Sequence, residues 1–172
     1  QKYNLQIIDI IPFKIHGGSL RIMISHNKQY NTNPSVKKFL EKEQETINES
    51  YYKKWAKNIN NHINETKNLL LDLKQKNKSI VGFGAAAKGC VYLNSADIDY
   101  NILDCVIDDT NLKQGKYIPG TGIPIVSRDY LKQNKVDYIL ILAHNFSEYI
   151  VKSLYHEFTG KFISFSPKIK IF

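Results

Sequence analysis

The stretch Gly82-Phe83-Gly84-Ala85-Ala86-Ala87-Lys88-Gly89 carries the clearest chemical signal in this sequence. Residues 82–87 fit G-x-G-x-x-A, the turn that presents backbone N–H groups to a pyrophosphate. Gly82 suits the tight turn, Gly84 lets the main chain approach an anion with no Cβ in the way, and Ala87 lets a helix pack close to a strand. Ala85, Ala86 and Gly89 complete the cradle at a helix start whose dipole favours negative charge. Lys88 adds a direct charge in the first turn. The P-loop pattern G-x-x-x-x-G-K-[ST] is not present, so hydrolysis of ATP or GTP has no support.

About twenty residues past Ala87 stand Asp108 and Asp109, at the place where a Rossmann domain keeps the acid that binds a ribose hydroxyl. NAD is therefore one reading of the pattern. A turn whose small residues serve packing alone is the other. A second loop, residues 113–125 (KQGKYIPGTGIPI), is punctuated by three glycines and two prolines and so has a defined shape. In it Lys113 and Lys116 are placed to face phosphate, and Tyr117 to stack on a base or sugar, unless the loop is simply a rigid surface feature. His16 precedes Gly17-Gly18 with no carboxylate partner identifiable nearby, which favours a contact or structural role over catalysis. Arg21 sits on an expected strand, open to a fork with a carboxylate or phosphate or to an ion pair at the core edge.

The elements that must position these residues follow from periodicity. Residues 5–11 and 20–24 predict two strands joined through IHGGS. From residue 34 to about 78 glycine vanishes. Asn33 and Pro34 then mark a helix start, and Trp55, Ile59, Ile63, Thr66, Leu70 and Leu73 recur at helical spacing. From Ser79 onward fully apolar strands alternate with helices, which predicts a Rossmann-like, mostly parallel sheet covered on both faces. The expected organisation is a strand pair over 1–30, a helical connector over 31–78 and the α/β domain over 79–172.

The net charge of +8 raises nucleic acid as a partner, but only two of the basic residues are arginine. Arginine makes the usual bidentate phosphate and guanine contacts, so the charge is read as a Lys/Asn/Ile bias instead. No apolar run is long enough to cross a bilayer, and no signal-peptide order is visible at the start. Cys90 and Cys105 lie in apolar runs and are read as reduced, buried thiols of a cytoplasmic protein, with no zinc-like spacing. The sequence does not begin with Met and is read as a piece of a longer protein.

HGGSLR, GFGAAAKG, VIDDT, KQGKYIPGTGIPI and LILAHNF, in this order and spacing, resemble the C-terminal domain of S-adenosylmethionine-dependent sugar C-methyltransferases. The resemblance covers nearly the whole chain. It implies a three-part enzyme: a zinc-binding segment, a core that holds S-adenosylmethionine, and this Rossmann-like tail, with a nucleotide-linked deoxysugar between core and tail. By that resemblance the turn from Gly82 to Gly89 holds the nucleotide-sugar. Lys116, Tyr117 and Pro119 then line the second loop, and His16, Ser19 and Arg21 join core to tail. His144 and Asn145 match a run in which relatives commonly carry Trp before Asn, a departure that bears on specificity. The zinc cysteines and the Glu-His pair used for proton abstraction lie upstream of residue 1, so this piece alone is expected to be inactive. The first two strands, cut from their neighbours, are expected to form a dimer or pair with another strand through residues 5–25. Two other readings stand beside this one: an NAD-binding domain of an oxidoreductase or redox sensor, and a structural or oligomerisation domain.

Overall fold

A computed structural model describes residues 2–27 and 29–172. The chain divides into two compact units whose boundary falls between Asn58 and Ile59.

In the first unit, β1 (Leu5–Phe13) and β2 (Ser19–His26) form an antiparallel ribbon with a bulge between Ile7 and Asp9. The connection is longer than a two-glycine turn. A 3-10 turn over Ile15–Gly17 places His16 at φ 56°, and Gly17 and Gly18 also take positive φ. Helix α1 (Pro34–Thr46) begins as expected, with the Asn33 side chain accepting from the Ser35 amide at 3.0 Å. The Ser35 hydroxyl donates to Asp9 at 2.6 Å, and Val36 and Ile10 are buried. Leu20, Ile22 and Ile24 remain exposed on the ribbon.

The helical connector that starts at Pro34 holds two helices. Ile47 is the C-cap of the first and Asn48 caps the second, its Oδ1 accepting from the Tyr51 amide at 2.9 Å, and α2 runs over Glu49–Gln75. Only the later part of its apolar stripe is core: Thr66, Leu70 and Leu73 are buried, whereas Trp55 is 54% exposed.

The second unit is α/β. Its strands are β3 (Ile80–Phe83), β4 (Val106–Ile107), β5 (Ile125–Val126), β6 (Tyr138–Ile141), β7 (Lys161–Ser164) and β8 (Lys170–Ile171). They form one sheet in the order β5-β4-β3-β6-β7-β8, parallel from β5 to β7, with β8 folding back antiparallel on β7. Helices α3 (Ala87–Ser95), α4 (Tyr130–Gln133) and α5 (Ser147–Leu154) connect them. Alternation along the strands divides the core. Ile80, Val106, Leu140 and Ile163 pack with Leu70, Leu73 and Leu93 on one side. Val81, Phe83, Ile107 and Ile139 pack with Ile150 and Leu154 on the other. A sheet buried on both faces needs such continuous apolar strands, which is the reason the sequence pattern disclosed it. Because β3 is flanked by β4 on one side and β6 on the other, the chain reverses direction across the sheet at β3, and its carboxyl end is a topological switch point.

Candidate functional site

The glycine-rich turn leaves β3 at this switch point. The Gly84 amide donates to the Ile107 carbonyl at 2.8 Å, and α3 starts at Ala87 with no side-chain cap. The small residues face the protein's own chain. A Cβ at Gly84, whose φ is +89°, would lie 2.7 Å from the Ala143 Cβ; one at Gly89 would lie 2.7 Å from the Leu142 Cβ. At Gly82 a Cβ would meet Leu142 and Val106, each at 2.9 Å. The end of β6 and the residues after it therefore occupy the space that these glycines leave.

The anion seat is also taken. Asp108, 6% exposed, directs Oδ2 at the Ala85 amide, which donates at 2.7 Å, and at Lys113 Nζ, which donates at 3.1 Å. Oδ1 accepts from the Thr110 amide at 2.9 Å, and Lys113 Nζ also donates to the Ala85 carbonyl at 3.0 Å. Burial alone would raise the Asp108 carboxyl, but hydrogen bonds from Thr110, Lys113 and Ala85 outweigh it and hold the group below the usual carboxylate range. An ionised carboxylate of the chain thus sits where a dinucleotide phosphate would draw on Ala85, and the acid that NAD would need for its ribose is already committed. Lys88 is exposed on the first turn of α3.

The second loop is a small hairpin. Ile125 donates to the Lys116 carbonyl at 2.8 Å and Ile118 to the Ile123 carbonyl at 2.8 Å, with Tyr117 opposite Pro124. Its tip docks on α3, where Asn94 Nδ2 donates to the Pro119 carbonyl at 2.9 Å. Lys116 and Tyr117 stand on the surface, Tyr117 being 65% exposed.

Beyond β6, a 3-10 turn over His144–Phe146 leads into α5. The His144 ring meets Phe165 edge-on at 5.6 Å, and its Nδ1 is buried with no hydrogen-bond partner among the described residues. Burial, then the positive charge of Lys88, lower the His144 pKa, against a weaker pull from the Leu142 carbonyl. Asn145 is exposed beside it. His16, Ser19 and Arg21 belong to the first unit. Ser19 Oγ donates to the Ile15 carbonyl at 3.0 Å, and the Arg21 guanidinium lies 4.8 Å from the centre of the Phe13 ring, a cation–π contact where an ion pair was one expectation.

Two cavities open at the carboxyl end of the sheet. A small one, about 210 Å³, lies at the switch point between the two carboxylates Asp108 and Asp109 and the rings of Phe146 and Tyr149. Arg128 grips Asp109 from outside with a two-pronged fork, Nε at 2.8 Å and one terminal nitrogen at 2.7 Å, and its guanidinium lies 5.5 Å from the centre of the Phe83 ring. A larger one, about 670 Å³, lies beyond the same two rings, between α5 and the β7–β8 return. Sequence reasoning missed Phe146, Tyr149, Arg128 and the lysines of the larger cavity. The scarcity of arginine was the one available signal: Arg128 is the lone Arg of the α/β part, although the acid it forks, Asp109, stands 19 residues away. Among the described residues no group of three or more His, Cys, Asp or Glu could hold a metal ion, and no helix is long and apolar enough to cross a membrane.

C-methyltransferase NovU of Streptomyces niveus is 27% identical over 176 residues, an alignment covering 99% of this chain and 42% of that protein. The chain thus spans less than half the length of this relative. Residues 14–167, which include the ribbon turn, the glycine-rich turn, the hairpin loop and the lining of the small cavity but not Lys168, Lys170 and Phe172 of the larger one, match the family described as C-methyltransferase C-terminal domain. With its α/β sheet, its switch-point turn and a match over most of its length, the chain belongs to the C-methyltransferase C-terminal domain family.

Proposed function

We propose that this chain is the substrate-binding part of an S-adenosylmethionine-dependent C-methyltransferase that acts on a nucleotide-linked deoxysugar. S-adenosylmethionine supplies a methyl group that a carbon nucleophile takes as the S–CH3 bond breaks. In this reading the donor and the base that creates the nucleophile belong to a core upstream of residue 1. The residues of this chain bind the substrate and orient it.

The observation that carries the reading is the switch-point pocket. Carboxylates accept hydrogen bonds from vicinal hydroxyls, and flat rings pack on the C–H face of a sugar or on a base. Asp109 and the rings of Phe146 and Tyr149, 60% and 70% exposed, offer both chemistries within one small cavity at the carboxyl end of the strands. His144 and Asn145 flank the larger cavity beyond those rings. The smallness of Gly82, Gly84 and Gly89 is accounted for by packing and is not needed for the ligand.

The test is calorimetric titration of the full-length protein with a thymidine diphosphate sugar, with NADH and S-adenosylmethionine run in parallel. Heat with the sugar nucleotide, weakened by Tyr149→Ala, is expected. Binding of NADH at the switch-point pocket, with none of the sugar nucleotide, would replace this reading by an oxidoreductase one.

A further inference from the structure

At the glycine-rich turn Asp108 already accepts from Ala85 and Lys113, so the anion seat is filled and Lys88 alone stands there with no carboxylate within 4 Å among the described residues. The larger cavity holds more unneutralised positive charge. Lys152, Lys168 and Lys170 line it, and Glu148 is the one acidic side chain among its described lining residues. None of the three lysines is within 4 Å of a carboxylate among the described residues, although many lysines elsewhere in the chain are. Three ammonium groups around one concavity repel each other, and an anion placed among them relieves that repulsion.

The cavity has the size of a small-molecule site at about 670 Å³. Its inner wall carries hydroxyls as well as ammonium groups: Ser164 is buried, and Ser147 and Ser166 line it too. An apolar annex of about 250 Å³ against Val151 and Phe172 shares Ser147 and Lys152 with it. Phe146 and Tyr149 form a wall common to this cavity and the switch-point pocket. A molecule with a diphosphate between a ring and a sugar could lie across that wall.

We infer that the diphosphate of the nucleotide-linked substrate is held by Lys152, Lys168 and Lys170 in the cavity between α5 and the β7–β8 return, and not by the glycine-rich turn. This rests on the substrate reading above for the identity of the ligand; the anion site itself rests on the cavity and its charges. The turn's role is then to hold Asp108 through the Ala85 amide and to let Leu142 and Ala143 approach, which positions the wall that the two cavities share.

The experiment titrates the full-length protein with inorganic pyrophosphate, with thymidine diphosphate and with a thymidine diphosphate sugar, by calorimetry at low salt. It compares wild type with Lys168→Ser/Lys170→Ser, with Lys152→Gln, and with Lys88→Ala/Lys116→Ala. All these side chains are exposed, so folding is checked by a melting curve and is expected to be unchanged. The expected result is a loss of pyrophosphate and thymidine diphosphate affinity of about tenfold or more in the cavity variants, and about threefold or less in Lys88→Ala/Lys116→Ala. The reverse pattern, or no binding of pyrophosphate and thymidine diphosphate to wild type at millimolar concentration, overturns the inference. Sugar-nucleotide binding that the cavity variants leave intact also overturns it while leaving the substrate reading standing. Diphosphate binding through the cavity with no affinity for the sugar nucleotide supports the anion site and sinks the substrate reading instead.

Discussion

Asp108 Oδ2 stands 2.7 Å from the amide of Ala85, so a side chain of the protein occupies the seat that a glycine-rich turn ordinarily offers to phosphate. Replacing it with Ala leaves that amide and the Thr110 amide without their acceptor in a nearly closed site, and takes from Lys113 one of its two acceptors. Hydrogen bonds to charged groups contribute about 1.5–3 kcal/mol each, so Asp108→Ala is expected to lose roughly 2–3 kcal/mol in urea unfolding. The sign with pH follows from the lowered carboxyl pKa. The stabilisation is present above the unfolded value of about 3.9 and is lost as pH falls through the lower folded value. Acid unfolding below about pH 4 should therefore be shallower in Asp108→Asn than in wild type; equal slopes would mean the carboxylate is not paired.

Gly84→Ala and Gly89→Ala test whether the glycines serve packing. Each added methyl meets a Cβ at 2.7 Å, and at Gly84 the positive φ adds strain. Overpacking costs about 1–3 kcal/mol and a left-handed non-glycine about 1–3 more, so Gly84→Ala is the worse of the two. A melting temperature unchanged in both variants would refute the close approach of β6.

His144 is expected to titrate below its ordinary value of about 6.5, because burial first and Lys88 second disfavour the imidazolium. A depressed histidine binds its proton better in the unfolded chain. Its contribution to stability is complete above about pH 6.5 and fades as pH drops through the folded pKa. Proton NMR of the ring should show a midpoint under that value, moved upward in Lys88→Gln. A midpoint above it would contradict the buried placement.

Phe146→Ala and Tyr149→Ala should each weaken binding of the sugar nucleotide about tenfold, since a stacked ring is worth about 1–3 kcal/mol. Both side chains are largely exposed, so the melting temperature should scarcely move. Unchanged affinity in both variants would remove the aromatic wall from the substrate site.

Cys105 is buried, and burial first, then the charge of Asp104, push its thiol up to about 12 despite a hydrogen bond with Tyr130. The thiolate is the reacting form, so Cys105 should resist alkylation at pH 8 until the chain unfolds. Mass spectrometry of native protein showing Cys105 labelled as fast as a free thiol would exclude this burial.

The sheet was legible because SIVGFG, LDCVIDD and DYILILA each hold a short apolar run, IVGF, CVI and YILILA, and strands covered on both faces require such runs. The break at Ile47-Asn48 was masked by unbroken helical composition on either side, although Asn followed by Glu is a start signal. Strand β8 is two residues long and carries no pattern of its own; it exists because the chain turns back on β7. The same return brings Lys168 and Lys170 to the start of α5, so the larger cavity has no motif to find. The glycine-rich turn is plain in the sequence, but what fills it is not. Leu142 and Ala143 reach it through the pairing of β6 with β3, and no local pattern announces that pairing.

The close fit of Leu142 and Ala143 against Gly82, Gly84 and Gly89 has a consequence for reading genomes. Selection for this fit alone preserves small residues at those positions, with or without a bound nucleotide. Such a fingerprint can therefore persist as a joint between two chain segments, and a survey that counts cofactor users by it needs the packing around each glycine as a second criterion.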